Sequence, residues 1–209
     1  MSLSDRNRRI YNVSKRGNRT EYFPNLGLQR LRSDNRSVVI EINSSCARNS
    51  TPKAQASYRV HFMKSSPYNH KSLIPNNHPH TQQTNQFAEL YATVKALDVV
   101  KELIDESHVI SPVVLYTDSA SLVHGVSDFI WKWEENGYRN ARGSPVVDAY
   151  AFKVLHKRIQ VWQRRGTEIN FWKVPREYNT EADELASSAL RAGRLIQEIR
   201  RIIHPRFFY

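Results

Sequence analysis

Three acidic residues of this chain lie in local contexts that suit divalent-metal chemistry. Glu89 stands near the start of a helical pattern, Asp118 directly follows an apolar run, and Asp183 lies in the sequence Asn-Thr-Glu-Ala-Asp-Glu-Leu-Ala. Carboxylate oxygens are the ligands that Mg²⁺ and Mn²⁺ prefer, and two such ions about 4 Å apart can activate a water that attacks a phosphodiester. A single acid on a helix is usually only solvated, but three in these contexts predict a metal site.

The elements that must position these acids alternate between strands and helices. Apolar and β-branched runs predict strands at Ser37–Asn43, Ala56–Met63, Pro112–Thr117 and Glu168–Val174. The loop 64–83 has room for a further short strand. Helical periodicity predicts helices at Phe87–Val100, Ser119–Trp133, Val146–Arg164 and Thr180–Ile203. This order is typical of an α/β fold, a mixed sheet flanked by helices, in which ligands usually bind at the carboxyl ends of the strands.

Basic charge is concentrated at the two ends of the chain. Residues 1–36 contain nine Arg and Lys against three acids, and residues 191–209 contain five Arg against one acid, whereas 37–190 carries only +1 of the net charge of +11. We interpret 1–36 as a basic, disordered arm, 37–190 as one α/β domain and 191–209 as a basic extension of the last helix. Basic arms favour nucleic acid as a partner through counterion release; the alternative is that they are solvated tails.

Composition narrows the remaining classes of protein. The single cysteine, Cys46, excludes a disulfide framework and is typical of a reducing compartment, so we expect a nuclear or cytoplasmic protein. The basic N-terminal residues leave a mitochondrial presequence open, although Asp5 and Glu21 argue against one. No apolar run approaches the roughly 18 residues that a membrane helix needs, so we expect no membrane span. We also expect a monomer.

Four segments of the chain form an ordered set of motifs. They are Gln83-Thr-Asn-Gln-Phe-Ala-Glu-Leu; Tyr116-Thr-Asp-Ser; Trp131-Lys-Trp-Glu-Glu-Asn-Gly-Tyr followed by Gly143-Ser-Pro-Val-Val-Asp; and Val174-Pro-Arg-Glu-Tyr-Asn-Thr-Glu-Ala-Asp-Glu-Leu-Ala. Together they resemble ribonuclease H of the type 1 family, in its eukaryotic form, over about 37–190. The resemblance implies the ribonuclease H-like fold, a mixed five-stranded sheet flanked by helices. It also implies endonucleolytic hydrolysis of the RNA strand of RNA–DNA hybrids, with two Mg²⁺ or Mn²⁺ ions.

The resemblance implies roles for individual residues. The positions of catalytic, metal-binding acids are matched by Glu89, Asp118 and Asp183, and Asn43 stands at the position of a fourth. Contact with the RNA strand, where the 2′-hydroxyl distinguishes RNA from DNA, is implied for Asn49, Thr84, Asn85 and Gln86. Trp133 and Tyr138 match aromatic positions near the DNA strand, with packing in the core as the alternative.

Three departures from the family pattern bear on the chemistry. Asn43 begins a motif that in the family begins with aspartate, so the four-residue site loses one negative charge. Ser57-Tyr-Arg59 replaces a Gly-x-Gly on the second strand, and Arg176 and Glu177 stand where a mobile histidine is expected. An amide oxygen can coordinate a metal but lacks the charge to bridge two dications. If about 4 kcal/mol of transition-state stabilisation is lost, the rate falls about a thousandfold.

Two functions remain open at this point. A working ribonuclease H, slow or altered in its use of metal, is favoured by the three acids and the hybrid-binding motifs. A non-catalytic module that binds hybrids or duplex RNA is favoured by Asn43, by the basic arms, and by Arg59, which either crowds the groove or binds phosphate. Glu41 lies on the same strand face as Asn43, where it could partly substitute for the missing acid. We therefore predict a hybrid-binding protein whose two-metal site is weakened or lost through Asn43, with a pseudo-nuclease as the alternative.

Overall fold

An open sheet of seven strands lies at the centre of the molecule. The computed structural model describes residues 9–17, 19–76, 82–106 and 109–176. The strands β1 to β7 have the bounds Thr20–Phe23, Leu28–Leu31, Asp34–Ala47, Gln55–His61, His70–Leu73, Val113–Thr117 and Ile169–Lys173. The first five strands pair antiparallel in chain order, whereas β6 pairs parallel with both β3 and β7. The sheet is therefore mixed, and β3 is its central strand.

The described residues also contain five α-helices. The helices α1 to α5 have the bounds Val13–Arg16, Asn85–Asp105, Ala120–His124, Ile130–Glu135 and Ala149–Arg164. A π-helical turn, Gly125–Phe129, connects α3 to α4. Thr84 caps the start of α2, because its hydroxyl accepts a hydrogen bond from the Phe87 backbone N–H at 2.9 Å. In the part of the chain that the structure describes, every helix is too short or too polar to cross a bilayer.

The two faces of β3 contribute to different cores. Ile40 and Ile42 belong to the main core, which α2 and α5 cover, whereas Val39 belongs to a smaller cluster on the opposite face. Side chains alternate along a strand, so Glu41 and Asn43 share the face of Val39. The pattern of β3 thus directs the predicted site residue away from the main core.

Strands β1 and β2 correct the prediction that residues 1–36 form a disordered arm. Leu28 and Leu31 are buried, and β2 pairs with the first half of β3. Closer to the N-terminus, the Tyr11 backbone N–H donates to the Phe171 carbonyl at 2.9 Å. Strands of four residues show no sustained apolar period, which is why the sequence pattern missed them. They also explain why the sheet has seven strands instead of the five predicted.

Arg9 holds the N-terminal segment inside the fold. Its side chain is 0 % exposed and donates to the Val126 carbonyl of the π-helical turn and to His156 Nδ1, each at 2.9 Å. The guanidinium lies 4.5 Å from the ring centroid of Trp131, as in a cation–π contact. Burial lowers the pKa of Arg9 to about 10, so the side chain stays charged at neutral pH. This arginine, counted above among the arm's charges, is therefore an internal anchor.

The remaining elements agree with the predicted α/β class, which is confirmed. A short strand, β5, occurs in the loop 64–83. The helix predicted at Ser119–Trp133 is interrupted by the π-helical turn, and the one predicted at Val146–Arg164 begins at Ala149. The last predicted helix, Thr180–Ile203, lies outside the described residues, as does the whole of the basic extension 191–209.

Candidate active site

β3 and β6 bring two predicted site residues to the same level, at the carboxyl end of β6; β3 does not end at Asn43, as predicted, but continues to Ala47. These parallel neighbours are in a register that pairs Glu41 with Tyr116. Asn43 and Asp118 each follow two residues later, so they lie side by side at the same edge of the sheet. Because adjacent strands are about 4.8 Å apart, both side chains can reach a common ligand.

Glu89 joins this edge from the start of α2. The Ser119 hydroxyl donates a hydrogen bond to Glu89 Oε2 and accepts one from the Leu122 N–H at 3.1 Å, which caps α3. Burial raises the pKa of Glu89; the Ser119 hydrogen bond opposes this shift and the nearby charge of Asp118 adds to it. Two carboxylates therefore share a half-buried environment, in which a cation would stabilise their ionised forms.

The third predicted acid, Asp183, lies outside the described residues. Among the residues that are described, no three His, Cys, Asp or Glu side chains come close enough together to hold a metal ion. The acidic part of the site is therefore represented by Glu89 and Asp118, with the amide of Asn43 beside them.

Asn43 and Arg59 lie directly opposite each other on β3 and β4. Side chains of such an antiparallel pair project from the same face, with their Cβ atoms about 5 Å apart. Both residues are buried, Asn43 with 7 % and Arg59 with 4 % exposed. Two of the departures from the family pattern are thus neighbours in space. The burial of Arg59 also argues against a phosphate reaching it from solvent.

Glu41 is engaged by the adjacent strand. Glu41 and His61 are also partners on β3 and β4, two positions along from Asn43 and Arg59. Glu41 Oε2 lies 3.0 Å from His61 Nδ1. The carboxylate is thereby directed towards β4, whereas Asp118 follows β6 on the other side of β3. This geometry does not support the hypothesis that Glu41 substitutes for the missing acid.

Among the described residues, the charges around Asn43 fit a centre of two divalent ions poorly. Two such ions bring four positive charges, and their bridging ligand is normally a carboxylate. Here Asn43 supplies a neutral amide, and Arg59, its partner in the strand register, adds a positive charge to the same face of the sheet. A guanidinium carries a positive charge at neutral pH, so it repels a dication.

A second group of predicted residues meets at the N-terminus of α2. Asn49 Oδ1 accepts a hydrogen bond from the Asn85 backbone N–H at 2.9 Å. Asp148 Oδ2 accepts one from Gln86 Nε2 at 3.3 Å and one from the Thr84 hydroxyl at 3.4 Å. We call these five residues the Asn49 cluster. The four residues predicted to contact RNA are thus brought together, and their role in binding remains a prediction.

Asp148 and Ser119 are the two polar site residues for which the sequence predicted no role. Asp148 precedes α5 in a left-handed conformation with φ of 56°. Burial raises the pKa of Asp148, and the hydrogen bonds from Thr84 and Gln86 lower it in part. Each residue stands directly before a helix, which is a local signal, but their distant partners cannot be read from sequence spacing.

The two predicted aromatic contacts differ in exposure. Tyr138 is 7 % exposed and belongs to the main core, with Lys153 Nζ 4.8 Å from its ring centroid. Trp133 is half-buried and packs edge-on against Phe152 at 5.0 Å between centroids. The packing alternative therefore suits Tyr138, while Trp133 retains surface for a ligand.

The fold and the site together define an α/β protein with two carboxylates, Glu89 and Asp118, at the carboxyl end of its parallel strand β6, the ribonuclease H-like class. The sequence profile of the RNase H family matches residues 35–191. This chain belongs to the RNase H family. Asn43, Glu89, Asp118 and Arg59 all lie within the matched residues.

Similar proteins agree with this assignment. Ribonuclease H1 of Rattus norvegicus is 31 % identical over 154 residues, which cover 72 % of this chain and 49 % of the rat protein. Ribonuclease H1 of Homo sapiens is 29 % identical over 153 residues, covering 71 % and 48 %. The chain thus spans about half the length of these curated relatives.

Solved structures with low sequence identity share the fold. A foamy viral protease-reverse transcriptase in complex with dsDNA matches with a TM-score of 0.55 and 19 % identity, over 74 % of this chain and 94 % of that one. A structure of the foamy viral enzyme in complex with RNA/DNA hybrid matches with a TM-score of 0.52 and 17 % identity, over 82 % and 21 %.

Proposed function

We propose that this chain binds RNA–DNA hybrids and that its hydrolysis of the RNA strand is weakened or lost through Asn43. One observation carries the proposal. On an RNase H family scaffold, a neutral Asn43 lies level with Asp118 where the parallel strand β6 ends. Recognition and chemistry are thereby separated, because the Asn49 cluster is intact while the acidic site lacks a carboxylate.

Binding is supported by the chemistry of the Asn49 cluster. Its amides and hydroxyl can exchange hydrogen bonds with 2′-hydroxyls, which mark an RNA strand. The net charge of +11 favours any nucleic acid through counterion release. A protein of similar fold has been solved with an RNA/DNA hybrid. A hybrid is therefore the substrate class that we propose.

Weakened hydrolysis is supported by the charge of the acidic site. Glu89, Asp118 and Asp183 offer oxygen ligands, so Mg²⁺ or Mn²⁺ is the ion on which we expect any remaining cleavage to depend. A loss of about 3 kcal/mol in transition-state stabilisation would reduce the rate more than a hundredfold. The second candidate function is a pseudo-nuclease that binds hybrids without cutting them, which the buried Arg59 favours.

Cleavage of a labelled hybrid, measured with Mg²⁺ and with Mn²⁺, tests the catalytic half of the proposal. We expect the native chain to cut slowly or not at all, and Asn43→Asp to cut faster. Asp118→Asn serves as the inactive control. Rapid cleavage by the native chain that Asp118→Asn abolishes would contradict a weakened site. Absence of cleavage by both the native chain and Asn43→Asp would favour the pseudo-nuclease.

Fluorescence anisotropy in EDTA tests the binding half separately. We expect a hybrid to bind more tightly than duplex DNA of the same sequence, since only the hybrid has 2′-hydroxyls. Asn85→Ala should weaken hybrid binding, whereas Lys101→Ala, on the exposed far end of α2, should leave the preference unchanged. Equal affinity for the two duplexes would contradict hybrid recognition.

A further inference from the structure

We propose that the Arg59 guanidinium takes the place of a metal charge in the acidic site, so that the native chain does not bind a pair of divalent ions there. The inference rests on the proposed function only in that both concern the same site. It adds a second cause of weakened hydrolysis, a competing positive charge, to the missing carboxylate at Asn43. It also predicts how metal binding would be recovered.

The register of the sheet places Arg59, Asn43 and Asp118 in one row. Arg59 is paired with Asn43 across β4 and β3, and Asp118 is level with Asn43 on the β6 side. Two strand spacings, roughly 10 Å, separate the backbones of Arg59 and Asp118. Asn43 is short, so the long arginine side chain can extend over it towards the carboxylates.

Burial favours a carboxylate partner for this arginine. Arg59 is 4 % exposed, and taking a guanidinium out of water is costly unless opposite charge compensates it. Near the carboxyl end of β6, the acids within the described residues are Glu89 and Asp118; Glu41 lies two residues before Asn43 on the same face, with its Oε2 3.0 Å from His61 Nδ1. Two crowded carboxylates have the complementary need for a cation. One guanidinium satisfies both requirements without an ion from solution.

The residues at positions 43 and 59 must therefore be considered as a pair. An aspartate at position 43 would lie directly opposite Arg59 and form an ion pair with it, so Asn43→Asp alone adds little net negative charge for a metal. Removing Arg59 alone leaves the amide of Asn43 as a weak ligand. Only the combined change restores a carboxylate and removes the competing cation.

Calorimetric titration with Mn²⁺ of the full-length protein tests this coupling. We expect the native chain to bind Mn²⁺ weakly, Asn43→Asp and Arg59→Ala each somewhat better, and Asn43→Asp/Arg59→Ala at least about tenfold more tightly than the two single effects combined predict. Arg59→Lys, which keeps the charge, should behave as the native chain. Arg30→Ala, which removes another buried arginine from a strand far from Asn43, should also leave Mn²⁺ binding unchanged.

Two results of the titration would overturn the inference. One is that the native chain binds two Mn²⁺ ions as tightly as the double variant does. The other is that Asn43→Asp alone binds as tightly as the double variant. If Arg59→Ala does not fold, Arg59→Gln keeps much of the length and hydrogen bonding without the charge. Thermal unfolding of the native chain gives an independent measurement, and a clear rise in Tm with Mn²⁺ over EDTA would also contradict the inference.

Hybrid binding in EDTA, measured on the same proteins, distinguishes this inference from the proposed function. If neither the native chain nor any variant prefers a hybrid to duplex DNA, hybrid recognition is refuted and the Mn²⁺ result still stands. Tight metal binding by the native chain, with hybrid binding intact, would refute only the role of Arg59.

Discussion

Half-buried carboxylates lie in both the acidic site and the Asn49 cluster. At the edge of the sheet, Glu89 and Asp118 are crowded together and the Ser119 hydroxyl stabilises one of them. In the Asn49 cluster, Asp148 holds Thr84 and Gln86 through one carboxylate oxygen. Hydrogen bonding there requires an acceptor, but it does not require a negative charge.

Replacing Asp148 with asparagine separates these two requirements. The amide oxygen can still accept hydrogen bonds from Thr84 and Gln86, while the negative charge that opposes a phosphate backbone is removed. We expect Asp148→Asn to raise hybrid affinity several-fold, because one charge near a surface is worth about 1 kcal/mol. Fluorescence anisotropy measures the change. Asp148→Ala is the control and should bind more weakly, since it lacks the acceptor; equal weakening by both variants would contradict this role.

At the scale of elements, the N-terminal segment and the π-helical turn stabilise each other. The turn supplies the Val126 carbonyl to Arg9, and α5 supplies His156, whose Nδ1 accepts from the same guanidinium. This contact requires the neutral form of the His156 ring, since a guanidinium can only donate. Burial lowers the pKa of His156 below its ordinary value of 6.5, and the charge of Arg9 adds to this shift, although Glu134 opposes both.

Stability should consequently depend on pH through His156. A lowered pKa in the folded state means that the unfolded chain binds the proton first. The stabilisation is thus fully present above pH 6.5 and is lost as the pH falls through the lowered pKa. His156→Gln should flatten this part of the profile. Chemical denaturation at a series of pH values measures it, and an unchanged profile in the variant would show that another group titrates.

The short strand β2 provides a second test at this scale. Leu28 is buried in the main core, whereas Leu26 precedes the strand and is exposed. We expect Leu28→Ala to lower the free energy of unfolding by about 2–4 kcal/mol and Leu26→Ala to have little effect. Urea denaturation distinguishes the two. Equal and small effects would mean that the N-terminal strands are an accessory to the fold.

At the scale of the whole molecule, long stretches of regular hydrophobic spacing predicted the fold. The register between strands distant in sequence could not be predicted. The 21-residue helix α2 and the apolar run of β6 were found because their periods are long or uniform. β1 and β2 were missed because four-residue strands depend on pairing with β3. Motifs indicated Glu89 and Asp118, but the pairing of Asn43 with Arg59 follows from strand register and could not be inferred from residues 16 positions apart.

The central claim is that a neutral Asn43 and a buried Arg59 together separate hybrid binding from hydrolysis. Single-turnover cleavage of a labelled RNA–DNA hybrid by the native chain and by Asn43→Asp/Arg59→Ala, with Mg²⁺ and with Mn²⁺, tests it most directly. We predict that the double variant cuts about a hundredfold faster or more, which corresponds to roughly 2.7 kcal/mol of transition-state stabilisation. Equal rates for the two proteins, both abolished by Asp118→Asn, would contradict the claim.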